Sequence, residues 1–435
     1  MECILKLFLC LSKCGLRDCL IKQVAFLPPK EKYTLEPDVA RIYGDSKLIQ
    51  TFKMKRLKTP KQKQGNVYEY LPSHKNMETH VFCIGQNQVP AILCRNLQSK
   101  KNKILLCSHG NSTDLSQYYD FLCELSQELD CDTFCYEYPG YGPTPGKLSD
   151  KYIIENIECA YDFITSTLEY QWQNIILYSH SLGSGPSIFL ASQNLKPIGG
   201  MILNSPLSSG LKLLLPNNTI TAKEDFFPNF QMIKFVNCPV FIMHGEKDDI
   251  IPIKHGKYLY KKLKQNSKYN PWWVKDANHN DIQYNNRQEF FERISNFLKY
   301  CSNFSQNKTE KDMRADEWGN KFNHLYSDWK QDKKNINQRR IVKSQSVISA
   351  SQFNTTAKDD QKSQKYQYED ENIPPISNKN KSEITLSNHN IKNSEKMKKK
   401  DLKSEIAQYQ QQYSEILKKG DPELQSSHFK IKKIQ

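Results

Sequence analysis

The sequence predicts an α/β fold, with a mostly parallel central sheet and helices on both faces. Three observations carry this. From about Thr79 to Tyr300, short apolar runs of strand length alternate with stretches of helical periodicity. One run, Ile175-Ile176-Leu177-Tyr178, is continuously apolar, as strands buried on both faces are. It breaks at Ser179-His180-Ser181-Leu182-Gly183 and resumes from Pro186 to Ala191 with helix-like apolar spacing.

The chain begins with Met1 to Lys22, where Cys3, Leu7, Cys10 and Cys14 follow an i, i+4, i+7, i+11 spacing and share one helical face. Cys19 falls off that face. Lys6, Lys13, Arg17 and Lys22 add positive charge among leucines, as in an interfacial segment whose cysteines carry thioester-linked acyl chains. Lys6 interrupts the apolar core that a secretory leader needs, and no small-x-small cleavage site follows. Zinc would want histidines nearby, and none are.

Pro28-Pro29 ends that element. Lys53 to Gln64 reads as an exposed basic loop. Thr79 to Cys83 and Val89 to Cys94 read as a hairpin opening the sheet. Lys103 to Cys107 and Thr133 to Tyr138 are strands, with a helix at Leu115 to Leu129 between them. A turn at Pro139-Gly140-Tyr141-Gly142 leads to a helix from Asp150 to Leu168. Gly200 to Asn204 is a strand, and Leu207 to Val236 is irregular and placed to cap a site. Cys238 to Met243 and Trp272 to Val274 are strands, His255 to Leu263 and Arg287 to Tyr300 helices. After Cys301 Asn, Gln, Lys and Ser dominate and apolar residues thin out, so the tail is expected to be disordered. Within it Met397 to Lys418 has the pattern of an exposed helix that a protein partner could take up. The expected domains are thus an anchoring segment (1–24), a catalytic domain (25–301) and a polar, basic tail (302–435).

Composition limits the alternatives. The chain has 435 residues, a formal charge of +15 and 13 cysteines. The lysines concentrate in loops and the tail and no recognition motif accompanies them, so nucleic acid is not an expected partner. No apolar run reaches the ~20 residues that span a bilayer. The cysteine count is odd and shows no paired framework. Cys107 and Cys135 sit inside apolar strands as small hydrophobes, which indicates a reducing, cytosolic compartment.

Strand, small-x-Ser-x-Gly, helix is the nucleophile elbow of the α/β-hydrolase fold, with Ser181 as the nucleophile. A serine needs a base and the base an orienting acid, in the chain order Ser, Asp, His, each at the carboxyl end of a strand. Asp248 in HGEKDDIIP fits the acid, with Asp249 its neighbouring rival. His279 in KDANHND fits the base. His109 and His244 precede glycines at strand ends and suit structural roles, and His180 is expected to point away from the serine hydroxyl. The oxyanion of the tetrahedral intermediate needs two backbone N–H donors, assigned to Leu182 and to Asn111 in His109-Gly110-Asn111-Ser112. No metal or cofactor is needed.

The segments SHGNSTDLSQYYDF, YEYPGYGPTPGKLSDK, IILYSHSLGSGPSIFLAS, LNSPLSSGLKLLLPN, HGEKDDIIPIKHG and WWVKDANHNDI together resemble the α/β-hydrolase domain-containing protein 17 family of membrane-bound protein depalmitoylases. AFLPPKEKYTLEP resembles the link between that family's cysteine-rich amino terminus and its catalytic domain. The resemblance covers about Met1 to Tyr300. It implies Ser181, Asp248 and His279 as the triad, and Cys3, Cys10, Cys14 and Cys19 as the cluster holding the palmitoylated cysteines. It also implies S-acylated membrane proteins as substrates and a peripheral, lipid-anchored place on the cytosolic face of the plasma or endosomal membrane. This chain departs from the family at Ser179-His180, where the family has Gly-Gln, and in its long polar tail. A lipid or small-ester hydrolase uses the same machinery, and a silent membrane scaffold is the alternative outside enzymes.

Overall fold

The computed structural model describes residues 25–30, 33–44, 47–58, 67–193, 196–214, 225–306 and 308–313. Cys3, Cys10, Cys14, Cys19 and Met397 to Lys418 lie outside them. The chain divides into two units, and the second, Asn323–Tyr409, falls wholly outside the described residues.

The first half supplies strands β1 (Tyr33–Tyr43), β2 (Lys47–Lys58), β3 (Val67–Tyr70), β4 (Met77–Ile84), β5 (Val89–Asn96) and β6 (Ile104–Ser108). Helix α1 (Leu115–Leu129), β7 (Asp132–Tyr136), α2 (Asp150–Ser166), β8 (Ile175–His180) and α3 (Ser184–Ala191) follow. Beyond β9 (Gly200–Asn204) come two short helices, α4 (Gly210–Leu214) and α5 (Asn229–Met232). The domain continues with β10 (Val240–Gly245), α6 (Lys254–Lys262), β11 (Trp272–Val274), α7 (Ile282–Asn285), α8 (Arg287–Ser305) and α9 (Glu310–Met313).

The strands form one sheet in the order β1-β2-β4-β5-β7-β6-β8-β9-β10-β11, with β3 on β2. From β7 to β11 every pairing is parallel; from β1 to β5, and between β5 and β7, every pairing is antiparallel. This is the expected mostly parallel sheet of the α/β-hydrolase fold. All the side chains of β6 and β9 and the first five of β8 are buried, which is why these strands read as unbroken apolar runs. Each large side chain so buried contributes ~1.5–3 kcal/mol.

Helix ends follow local chemistry. Asp114 caps α1 by accepting the Gln117 N–H at 3.0 Å, and Ser149 caps α2 by accepting from Lys151. The inner face of α1 is Leu115, Tyr118, Leu122, Leu125 and Leu129. Helix α8 buries Phe290, Ile294, Phe297 and Cys301 and runs on to Ser305. Its Cys301 Sγ lies where a β-carbon on Gly200 would come within 2.4 Å, so the helix packs directly onto β9.

Two expectations need correction. Lys53 to Lys58, read as loop, belongs to β2; residues 59–64 lie outside the described residues. Among the β2 side chains described only Thr51 and Met54 are deeply buried, and across the antiparallel ladder to β1 Lys53 pairs with Asp38 and Lys55 with Glu36. A strand with few buried apolar positions carries little period-2 signal. The stretch from Leu207 to Val236, read as irregular, contains α4 and α5. Helices of four and five residues are too short to show a period. Among the described residues no helix is long and apolar enough to cross a membrane.

Candidate active site

Strand β8 ends at His180, and Ser181 takes φ = +54°. A side chain in the left-handed region costs ~1–2 kcal/mol, and the surrounding packing holds it there. A β-carbon on Gly183 would lie 2.1 Å from the Ser108 carbonyl oxygen, so only glycine fits two residues after the serine. Ser179 stands where the family has glycine; its Oγ donates to the Ile202 carbonyl at 3.2 Å, so the neighbouring strand β9 takes up the extra hydroxyl. Ser184 Oγ donates to the Ser181 carbonyl at 2.7 Å and accepts the Leu207 N–H at 3.2 Å, pinning the start of α3.

Parallel pairing brings the carboxyl ends of β8, β10 and β11 to one edge, and there the chain places Ser181, Asp248 and His279. Asp248 Oδ2 lies 2.8 Å from His279 Nδ1 and 3.0 Å from His244 Nε2. Asp248 Oδ1 accepts the N–H groups of Ile250 (3.0 Å) and Ile251 (2.7 Å). Asp249 is exposed, so Asp248 is the carboxylate that meets the imidazole. Burial alone would raise the Asp248 pKa; His279 and His244 overcome it and hold the group well below the usual carboxylate range. Its charge fixes the Nδ1–H tautomer of His279 and leaves Nε2 as the basic atom. The histidine loop is clamped by Asp281, which accepts from Asn278 N at 2.7 Å and Asn278 Nδ2 at 2.9 Å.

Two histidines that the sequence sets apart from the triad touch its members. His244 sits against Asp248 as well as against the Ile251 carbonyl, 2.7 Å away. Its spacing of four residues from Asp248 is the only hint the sequence holds. His180, adjacent to Ser181, donates from Nε2 to the His279 carbonyl at 3.2 Å, with ring centroids 5.0 Å apart. The strand that carries Ser181 thus touches the loop that carries His279. His109, by contrast, pairs with the fully buried Glu137 at 3.0 Å and stacks on Tyr138.

Desolvation, then His279, pushes the His180 pKa from 6.5 down to about 3. The unfolded chain therefore takes up this proton first, so His180 costs nothing above pH 6.5 and destabilises the fold increasingly as pH falls toward 3. His255, lowered to about 4, adds to the same loss. His180→Gln keeps an N–H donor for the His279 carbonyl and removes one titration. Its melting temperature should fall less steeply than that of the wild type between pH 6.5 and 3. Parallel curves would show that the fold does not hold His180 neutral.

The loop after β6 forms the other wall. Gly110 packs on His180, whose Nδ1 would be 2.8 Å from an added β-carbon. Tyr138 Oη donates to the His109 carbonyl at 2.7 Å, and Tyr141 Oη to Asn111 Oδ1 at 2.6 Å, so the Pro139–Gly142 turn supports this loop. Among the described residues neither the Asn111 nor the Leu182 N–H donates to a loop, turn or strand carbonyl. Among them no group of three or more His, Cys, Asp or Glu side chains is arranged to hold a metal ion.

A strained serine after a buried strand, with a histidine–carboxylate pair at the same sheet edge, defines a hydrolase of the α/β-hydrolase fold. The family described as "alpha/beta hydrolase fold" matches residues 103–231, and the prolyl oligopeptidase family matches residues 218–305. Alpha/beta hydrolase domain-containing protein 17B of Homo sapiens is 30% identical over 281 residues, covering 64% of this chain and 90% of that protein. Alpha/beta hydrolase domain-containing protein aho-3 of Caenorhabditis elegans is also 30% identical over 281 residues, covering 64% and 77%. The 17C protein of Xenopus laevis is 37% identical over 196 residues, 45% of this chain and 61% of its own length. A solved esterase/lipase from an uncultured bacterium has TM-score 0.43 and 13% identity, covering 53% of this chain and 87% of its own. The chain belongs to the α/β-hydrolase domain-containing protein 17 family.

Proposed function

We propose that this hydrolase removes S-palmitoyl groups from membrane-associated proteins, with Ser181 as nucleophile, His279 as base and Asp248 as the orienting acid. The observation that carries the reading is the 2.8 Å contact of Asp248 Oδ2 with His279 Nδ1, at the sheet edge where Ser181 takes φ = +54°. Ser181 Oγ attacks the thioester carbonyl as its proton passes to His279 Nε2. The Leu182 and Asn111 N–H groups receive the oxyanion. Collapse of the intermediate expels the cysteine thiolate, which takes the proton from His279 and leaves acyl-Ser181. Water then repeats the sequence, releasing the fatty acid and restoring Ser181. Asp248 stays ionised throughout and stabilises the imidazolium.

The thioester preference rests on the family resemblance of the six motifs. The membrane assignment rests on the amino-terminal cysteines. One acyl chain gives only marginal binding, with a partition constant of ~10⁴ M⁻¹, and a second makes it stable. Cys3, Cys10 and Cys14 on one predicted face supply two or three, and the nearby lysines favour an anionic cytosolic leaflet.

The test compares the purified chain on a palmitoyl thioester and on a glyceride. The reading expects a higher kcat/KM for the thioester. Preference for the glyceride makes the chain a lipid-ester hydrolase; no turnover with no fluorophosphonate labelling makes it a scaffold. Replacing Cys3, Cys10, Cys14 and Cys19 with serine should move the protein from membranes to the soluble fraction while leaving soluble-thioester turnover intact. A quadruple variant that stays on membranes contradicts the anchor.

A further inference from the structure

Ala25 to Leu27 precedes β1 and takes no part in the sheet, yet it is tied to both walls of the proposed oxyanion hole. On one side the Asn111 carboxamide grips its backbone. The Leu27 N–H donates to Asn111 Oδ1 at 3.0 Å, and Asn111 Nδ2 donates to the Ala25 carbonyl at 2.9 Å. The same Oδ1 accepts from Tyr141 Oη at 2.6 Å and from the Ser112 N–H at 3.2 Å. The segment is met by an acceptor, Oδ1, and a donor, Nδ2, on separate atoms of one carboxamide, and an ionised aspartate would supply only acceptors.

On the other side Phe26, only 2% exposed, packs its ring 6.0 Å from Phe226 and 6.5 Å from Phe227. Phe227 lies over Gly185 of α3, where a β-carbon would come within 2.3 Å of its ring. Helix α3 begins directly after Ser181-Leu182-Gly183. One three-residue segment therefore joins the loop that carries the Asn111 N–H to the helix that follows the Leu182 N–H.

We propose that Ala25 to Leu27 is a positioning strap that holds these two N–H groups at the spacing a tetrahedral oxyanion requires. It makes the segment immediately after the cysteine cluster a part of the turnover machinery as well as a link. The proposal rests on the reading of Ser181 as nucleophile with Asn111 and Leu182 as oxyanion donors. Phe26 reaches no reacting atom and acts through Phe227 and Asn111. Donors displaced by a fraction of an ångström still allow substrate binding but stabilise the transition state less.

The test uses full-length wild type, Phe26→Ala and Phe26→Leu on a soluble acyl thioester, with rates expressed per Ser181 titrated to completion by a fluorophosphonate. Titration counts folded sites, so lost protein does not register as lost rate. Since ~1 Å of misplacement costs about 10²-fold, kcat per site should drop roughly tenfold or more in Phe26→Ala and about threefold in Phe26→Leu, with KM within about twofold. If Phe26→Ala does not fold, the smaller loss in Phe26→Leu decides. Wild-type kcat per site in the folded variants, or a change in KM alone, overturns the strap. A wild-type protein that neither turns over nor labels overturns the nucleophile reading instead, and the strap falls with it.

Discussion

Ser181→Ala should lower thioester turnover by roughly 10⁴- to 10⁶-fold, while the protein stays folded and its melting temperature changes little. No covalent intermediate can form without the hydroxyl, so what survives is the catalysis that the oxyanion donors supply to attacking water. Stability should persist because the elbow is held by other atoms. Gly183 against Ser108, Ser184 Oγ on the Ser181 carbonyl and the buried face of α3 all remain. Alanine takes up the same positive φ with the same β-carbon, so the strain is unchanged. Turnover kinetics with a thermal melt checks both halves.

The second large effect is expected at the acid. Asp248→Asn should cost about 10⁴-fold in kcat, and Asp249→Asn almost nothing. Asparagine can still accept the Ile250 and Ile251 N–H groups through Oδ1, so the turn keeps its shape. Its Nδ2, however, then faces His279 Nδ1, which lies 2.8 Å from Oδ2 in the wild type. A donor there selects the tautomer protonated on Nε2, and that atom can no longer take the serine proton. The buried charge is also lost from between His244 and His279. Asp249 is exposed, and its replacement touches neither imidazole. Equal losses in the two variants, measured as kcat on the same thioester, contradict the assignment of Asp248.

What was legible in the sequence was whatever leaves a local pattern. The apolar run at Ile175 to Tyr178 and the glycine two residues after Ser181 point to strand and elbow because burial and close approach act within a few residues. The order of Ser181, Asp248 and His279 is legible because parallel strands place successive carboxyl ends together. Strand β2 was not legible, since a backbone ladder to β1 leaves no mark in the side chains, its cross-strand side chains are charged, and among those described only Thr51 and Met54 are deeply buried. Nor was the part played by His180, which depends on a bond to a backbone carbonyl 99 residues away. The grip of Asn111 on Leu27 spans 84 residues and rests on donor–acceptor geometry that no spacing encodes. Ser179 shows the converse: a departure from the family's glycine is absorbed by one hydrogen bond to Ile202.

The central claim is that Ser181 is the nucleophile of an acyl-enzyme mechanism. The most direct measurement is to react the full-length protein with a fluorophosphonate, digest it and locate the adduct by mass spectrometry. The account predicts one adduct, on the peptide containing Ser181, absent from Ser181→Ala and formed much more slowly in His279→Ala. An adduct on another serine, or labelling that survives in Ser181→Ala at the wild-type rate, would contradict it.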